Sequence, residues 1–195
     1  MRPRLKTKIS GGFVFLISLL LFLDEGGILA AALPAVAIHE LCHMGAMRAF
    51  GARPAALTLT MSGMALDYAG FVSPPALAVT ALAGPLGGAA GAFLCARLGE
   101  ALGSEYLLLS AGIGVVLSIY NLLPALPLDG GVVLELLLVR SFGEKRAAGL
   151  MTAAGGAVCA LLLTAGAMLL YQGRGAALLL SGVWLSLAQI KRSCK

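Results

Sequence analysis

This chain of 195 residues has the composition of a membrane protein. Hydrophobic residues make up 59% of it and charged residues only 12%, whereas soluble domains are about 45–50% apolar and about 25% charged. So little charge cannot cover a water-soluble globule, which excludes an isolated soluble enzyme, a disordered protein and a disulfide-stapled secreted domain. The net charge of +5 does not indicate nucleic-acid binding, because the cations form short clusters between apolar stretches instead of one basic patch.

Six apolar segments have, or nearly have, the roughly 20 residues that a transmembrane helix needs. They are Ile9–Leu23, Gly27–Phe50, Leu77–Leu98, Tyr106–Leu126, Ala147–Tyr171 and Ala176–Ile190. The first segment can also be interpreted as a cleaved signal peptide, against which the acidic pair Asp24–Glu25 argues. The sequence therefore predicts an all-α polytopic membrane protein with about six transmembrane helices.

The distribution of positive charge predicts the orientation of these helices. With the N-terminus in the cytoplasm, twelve of the fourteen Lys and Arg residues lie on the cytoplasmic side, and only Arg97 and Arg174 lie on the other. Both termini are then cytoplasmic, as an even number of spans requires.

The stretch after the second segment has the two-residue period of a strand. Apolar and hydroxyl residues alternate over residues 57–62, and Gly63 and a weaker alternating run up to Val72 follow. This pattern predicts a short β-hairpin or re-entrant segment at the cytoplasmic face.

Ionisable residues inside lipid are costly and mark functional sites, and one group of them lies in the second segment. His39, Glu40 and His43 form an HExxH sequence on a predicted helix. Histidines four residues apart share one helical face, so both imidazoles can reach one zinc ion. Glu40 lies about 100° further round the helix and can activate a metal-bound water. The alternative is a pair of polar residues hydrogen-bonded inside a helix bundle.

A catalytic zinc ion usually takes three protein ligands, so the third must come from another element. The fourth segment runs into a stretch with two prolines, Pro124 and Pro127, followed by Asp129 and two glycines. The prolines break the helix, and broken backbone at membrane depth is tolerated only against protein or a water-filled cavity. At about 1.5 Å of rise per residue, this break and the two histidines converge on the cytoplasmic third of the bilayer. Asp129 is therefore a candidate third ligand, unless the break is purely structural.

These motifs resemble the paired signatures of the site-2 proteases, a family of intramembrane zinc metalloproteases. The resemblance rests on HELCH at residues 39–43 and NLLPALPLDGG at residues 121–131. Ala83-Gly84-Pro85 is similar to a core helix of that family, and the resemblance covers about residues 36–134. It implies one Zn²⁺ per chain held by His39, His43 and Asp129, with Glu40 as general base and Asn121 positioning the substrate carbonyl or its oxyanion.

The implied activity is hydrolysis of a peptide bond in or near a transmembrane segment of a membrane-associated substrate. A zinc or metal-ion transporter and a non-catalytic membrane scaffold are the alternatives. Residues 1–195 are then one membrane-embedded metalloprotease domain with its catalytic core at about 26–139. The candidate substrate-binding residues are Thr58 and Thr60, whose strand could pair with an extended substrate, and Pro124 and Pro127. The implied partners are a membrane-protein substrate, the lipid bilayer and a membrane regulatory partner, but no nucleic acid.

Within the family, six spans with cytoplasmic termini and no PDZ insertion are most similar to the stage IV sporulation protein FB branch. That branch processes a membrane-associated sigma-factor precursor, which implies a bacterial cell membrane and an active site nearer its cytoplasmic side. This chain departs from the branch in two respects. We expect it to lack the regulatory CBS domain of that branch, since the sequence ends at Lys195, and Cys42 replaces the glycine often found in HELGH.

Overall fold

The computed structural model describes residues 6–9, 24, 26–60, 63–69, 72–173 and 176–193. Most of the first predicted segment, Ile9–Leu23, lies outside the described residues, so its helix and the signal-peptide alternative stay predictions. The chain divides into two compact units, residues 1–118 and residues 119–195.

The helices of the first unit begin and end at residues with clear local signals. They are α1 (Ile28–Ala49), α2 (Pro74–Leu102) and the greater part of α3 (Glu105–Asn121). The carboxylate of Asp24 accepts hydrogen bonds from the first free N–H groups of α1, at 2.9 Å from Ile28 and 2.7 Å from Leu29, which caps the helix. Helix α2 begins at two prolines, which suit a first helical turn, and ends at Gly103 with a φ of 63°, a left-handed residue typical of a helix end.

A three-stranded sheet belongs to the same unit. Its strands are β1 (Lys6–Ile9), β2 (Arg53–Thr60) and β3 (Gly63–Ala69), in the order β1-β2-β3. β1 pairs with β2 in parallel, from Lys6 opposite Ala56 to Ile9 opposite Leu59. β2 and β3 pair antiparallel, and the residues that join them, 61–62, lie outside the described part of the chain.

The position of β2 corrects one expectation. The sequence suggested that the strand containing Thr58 offers an edge to an extended substrate. Thr58 instead pairs with Lys8 on one side and Ala65 on the other. The N-terminal strand β1 occupies that edge of β2, so the outer strands of the described sheet are β1 and β3. This parallel pairing joins segments that are distant in the sequence, and no local pattern predicts it.

The second unit contains the end of α3, a bend, and the helices α4 (Asp129–Phe142), α5 (Glu144–Tyr171) and α6 (Ala176–Ser193). Its buried cluster consists of Ala125, Leu128, Val158, Cys159, Leu162 and Leu185. Helices α5 and α6 approach closely at Gly166, where an added Cβ would lie 2.6 Å from the backbone nitrogen of Leu179. The predicted fourth span, Tyr106–Leu126, is shorter as a helix because the proline-containing stretch ends it at Asn121.

Three helices in the described part of the chain are long and apolar enough to cross a membrane: α1, α2 and α5. Helix α3 is also apolar but has only 17 residues. The described residues contain six helices in all, which agrees with the predicted class of helical membrane proteins.

Candidate metal centre

Two histidine rings on α1 lie in contact, with the edge of one directed at the face of the other. The Nε2 atoms of His39 and His43 lie 3.1 Å apart, and the ring planes are inclined at 80° with centroids 4.7 Å apart. His39 is only 5% exposed, and His43 is half-buried. The four-residue spacing places both rings on one face of the helix, as the sequence predicted.

The second nitrogen of His43 is held by the backbone of α2. Its Nδ1 lies 2.7 Å from the carbonyl oxygen of Thr80. A carbonyl only accepts, so Nδ1 carries the proton and Nε2 presents a lone pair. Thr80 is 5% exposed, and its hydroxyl donates to Ala76 in the preceding turn at 2.8 Å. Metal-binding histidines commonly donate their other N–H to such an oxygen, which fixes the ring and the tautomer.

The spacing of the two nitrogens fits a tetrahedral metal ion. Zinc–nitrogen bonds of about 2.0–2.1 Å at a tetrahedral angle separate two nitrogens by about 3.3 Å. The 3.1 Å between the Nε2 atoms of His39 and His43 is close to that value. The pair could therefore hold a metal ion without any change of rotamer.

Glycines on α2 allow this helix to approach the histidine helix closely. A Cβ added at Gly84 would lie 2.1 Å from Nε2 of His43, and one at Gly87 would lie 2.1 Å from Sγ of Cys42. One turn further on, a Cβ at Gly91 would lie 2.8 Å from Ile38. Small residues of this kind let two helices approach closely in a membrane protein, and Cys42 packs against Gly87.

Glu40 and Asp129 occupy different parts of the fold. Glu40 follows His39 on α1 and is half-buried. Asp129 is the first residue of α4, in the second unit, and is also half-buried. A carboxylate suits a helix N-terminus, where backbone N–H groups lack partners within the helix.

The bend between α3 and α4 carries the remaining predicted residues. Asn121 is the last residue of α3 and is half-buried, and Pro124 and Pro127 are both exposed. The Leu126–Pro127 peptide bond is cis. The bend is closed by hydrogen bonds from the N–H of Ala125 to the carbonyl of Leu123 at 2.8 Å and from Leu128 to Ala125 at 2.9 Å.

A comparison with protein-family profiles identifies the family of this chain. Residues 55–163, more than half of the chain, match the profile described as "Peptidase family M50". The chain belongs to peptidase family M50. The matched range of this M50 peptidase chain includes the bend and Asp129 and begins after His39 and His43. The support for a site at the two histidines is therefore their own geometry and not the profile match.

Individual proteins agree with the M50 assignment. Rip3 of Mycobacterium tuberculosis, provisionally named a zinc metalloprotease, is 31% identical over 185 residues in both strains compared, Erdman and H37Rv. That alignment covers 90% of this chain and 46% of Rip3, so the chain spans about half the length of these curated relatives. The site-2 protease of Methanocaldococcus jannaschii is 16% identical and has the same fold, with a TM-score of 0.71 over 95% of this chain and 89% of that one. The resemblance to the site-2 protease family is thus confirmed, and with it an integral membrane protein.

The second unit of the M50 chain also contains a cavity of about 530 Å³. Its lining includes Leu126, Glu135, Met151, Cys159, Gln189 and Arg192. The ion pair at its edge, Arg192 to Glu135, is 3.8 Å long and roughly half exposed, so it contributes little to stability.

Two residues with clear structural roles near the predicted site escaped the sequence analysis. Thr80 acts through its backbone carbonyl, which leaves no trace in the sequence. Gln189 donates a side-chain hydrogen bond to the carbonyl of Leu126 at 2.7 Å. A lone amide in an otherwise apolar helix was the available signal for Gln189, because a half-buried amide needs a partner.

Proposed function

We propose that this chain is an intramembrane zinc metalloprotease that hydrolyses a peptide bond in or near a transmembrane segment of a membrane-associated substrate. The observation that carries the proposal is the pair of imidazole nitrogens 3.1 Å apart on a helix apolar enough to cross a membrane. Membership of the M50 family and the likeness to Rip3 support the same activity.

One Zn²⁺ per chain is the proposed cofactor, with His39, His43 and Asp129 as its ligands. The lone pair on Nε2 of His43 follows from the contact of Nδ1 with Thr80, and a carboxylate completes a ligand set of two histidines and one acid. Bound zinc would polarise the substrate carbonyl and lower the pKa of a bound water.

Two further residues have proposed roles in the reaction. Glu40 accepts a proton from the attacking water and later delivers it to the amine of the leaving peptide. Asn121 positions the scissile carbonyl and donates a hydrogen bond to its oxygen as negative charge develops there. These two roles rest on the family resemblance and on the placement of Glu40 beside His39.

Substrate binding is proposed to involve the sheet and the bend. A helical substrate hides its peptide bonds, so it must unwind before attack, and an extended segment can add to a sheet edge. β2 is paired on both sides, so the substrate would add to an outer strand while Thr58 and Thr60 hold the sheet in place. Pro124 and Pro127 are exposed in the bend and are the proposed contacts there. Thr60→Pro should impair cleavage while zinc content stays native, and unimpaired cleavage by the folded variant would remove the sheet from substrate binding.

The cellular setting completes the proposal. The charge distribution supports cytoplasmic termini and an active site nearer the cytoplasmic side of a bacterial cell membrane. A sigma-factor precursor is the proposed substrate by resemblance to the sporulation branch, and a membrane protein that presents the substrate or inhibits cleavage is the proposed partner.

The decisive experiment compares membrane-protein fragments in cells that carry the native chain, Glu40→Gln or the control Glu100→Gln. Glu100 is exposed and pairs with Arg97 at 2.9 Å, so its replacement removes a carboxylate far from any proposed role. A precursor that accumulates only with Glu40→Gln, and a new terminus near a transmembrane segment in the other two, would establish proteolysis. Identical fragment patterns from three zinc-loaded, expressed proteins would refute proteolysis and favour a metal-ion transporter or a scaffold.

A further inference from the structure

The bend that precedes Asp129 is tied to the last helix by one side chain. Nε2 of Gln189, on α6, donates a hydrogen bond of 2.7 Å to the carbonyl oxygen of Leu126. Leu126 is only 6% exposed, and Gln189 is half-buried. The contact joins residues 63 positions apart in the sequence, so it belongs to the tertiary structure and not to a local turn.

The bend needs a partner of this kind because its backbone cannot supply one. Pro124 and Pro127 have no N–H groups, and the helical ladder is interrupted between α3 and α4. The turns of the bend use the carbonyls of Leu123 and Ala125, whereas the carbonyl of Leu126 takes its hydrogen bond from the Gln189 amide. A buried carbonyl is costly to leave without a donor, so the position of the bend depends on that amide.

A glycine on the neighbouring helix provides the space for the amide. A Cβ added at Gly155 on α5 would lie 2.6 Å from Nε2 of Gln189 and 2.9 Å from its Cδ. The obstructing atoms are the end of a flexible side chain, so alanine at this position can be accommodated by turning the amide away. That movement would take Nε2 off the carbonyl of Leu126.

A displacement of Leu126 would also displace Asp129, because the first turn of α4 packs directly against the backbone of the bend. A Cβ at Gly131 would lie 2.4 Å from the carbonyl carbon of Ala125 and 2.6 Å from the nitrogen of Leu126. A Cβ at Gly130 would lie 2.1 Å from the carbonyl oxygen of Leu122. The first turn of α4 therefore rests on the backbone of the bend, and the carboxylate that begins this turn moves with it.

We propose that Gln189 is a positioning residue for the metal site: its hydrogen bond to Leu126 holds the bend so that Asp129 keeps the place of a ligand. The inference rests on the proposed function, in which Asp129 binds zinc. Loss of a group that orients a metal ligand typically weakens metal binding by 10–100-fold. We expect about a tenfold effect here, because Gln189 acts through the backbone and not on the carboxylate itself.

The test uses the full-length protein in detergent or nanodiscs and four variants: Gln189→Leu, Gly155→Ala, the double variant and the control Gly156→Ala. Leucine has nearly the volume of glutamine but no donor. Gly156 neighbours Gly155 on the same helix, and its added Cβ would meet nothing within 4 Å. Zinc affinity is measured by chelator competition, the ligand geometry by the absorption spectrum of the Co²⁺-substituted protein, and the fold by thermal unfolding of the metal-free protein.

Gln189→Leu and Gly155→Ala should each bind Zn²⁺ about tenfold more weakly and change the Co²⁺ spectrum, whereas Gly156→Ala should match the native protein. In the Gln189→Leu background, Gly155→Ala should cause no further loss of affinity, because both changes remove the same hydrogen bond. If Gln189→Leu does not fold, the Gly155→Ala result decides alone, since its methyl group only displaces the amide.

Native affinity and a native Co²⁺ spectrum in a folded Gln189→Leu or Gly155→Ala protein would overturn the inference while the proposed function stands. Equal losses from Gly155→Ala and Gly156→Ala would also overturn it, because they would show a general effect of α5. A further loss when Gly155→Ala is added to Gln189→Leu would overturn it as well, because the two changes would then not remove the same hydrogen bond. Failure of the proposed function looks different: the native chain itself would bind no zinc, and that result would overturn both.

Discussion

Replacing Gly84 by alanine would place a methyl carbon 2.1 Å from Nε2 of His43 and 2.4 Å from its Cε1. Gly84 is buried in α2, and Nδ1 of the same ring is hydrogen-bonded to Thr80 of that helix. The ring therefore cannot move away from α2 without losing this hydrogen bond.

The size of the effect follows from the distances. Ordinary contact with a Cβ begins at 3.4 Å, so the ring or the helix must shift by about 1.3 Å, whereas metal–ligand distances hold within about 0.2 Å. His43, a proposed zinc ligand, would be displaced from the position in which its Nε2 lies beside that of His39. We expect zinc affinity to fall by more than about 100-fold, beyond the usual loss of an outer hydrogen-bond partner. Overpacking of this kind also costs about 1–3 kcal/mol of stability.

Zinc stoichiometry and affinity of the purified protein, with a thermal melt, form the assay. Gly45→Ala on α1 is the first control, because its Cβ would meet nothing within 4 Å. Gly91→Ala is the second control: its Cβ would collide with Ile38 at 2.8 Å, so it should lower stability but leave one zinc per chain. A folded Gly84→Ala protein with native zinc affinity would refute the close approach of α1 and α2 at His43.

Three further outcomes are expected. Asp129→Ala should lower zinc affinity by at least about tenfold in chelator competition, whereas undiminished affinity would exclude it as a ligand. Thr80→Val should leave zinc affinity within about twofold, because His43 contacts the carbonyl and not the hydroxyl, and a large loss would contradict the assigned contact. Cys42→Ala should keep full zinc content and proteolysis, measured by metal analysis and fragment release, since Cys42 packs against Gly87; loss of zinc would instead make the thiol a ligand.

The parts of the site that depend on local spacing could be predicted from the sequence. The spacing of four positions from His39 to His43 is enough to place both rings on one helical face, whatever surrounds the helix. The prolines of the bend likewise end α3 by removing N–H donors, although the apolar run through Leu126 suggested a longer helix. Local chemistry decides these features, so composition and spacing reveal them.

The parts that depend on distant contacts could not be predicted in the same way. The pairing of β1 with β2 joins residues about 50 positions apart, and no pattern in either strand specifies its partner. The contact between His43 and Thr80 uses a carbonyl that every residue has. The Gln189 amide needs the space that Gly155 leaves, and this need is apparent only when the packing of α5 against α6 is known. Each of these features depends on tertiary contacts between residues that are far apart in the sequence, and no local sequence pattern identifies such partners.

Two glycines of α2 should differ in whether a second substitution can compensate for their loss, both in evolution and in a suppressor screen. Gly91 faces Ile38, so a larger residue at 91 can be compensated by a smaller one at 38, and a genetic screen should recover such exchanges. Gly84 faces His43, and a smaller side chain at position 43 would lack the imidazole that is the proposed ligand. Loss of Gly84 should therefore have no intragenic suppressor at this contact. Homologues should therefore exchange volume freely between positions 38 and 91, while glycine at 84 is inherited together with the histidine and lost together with it.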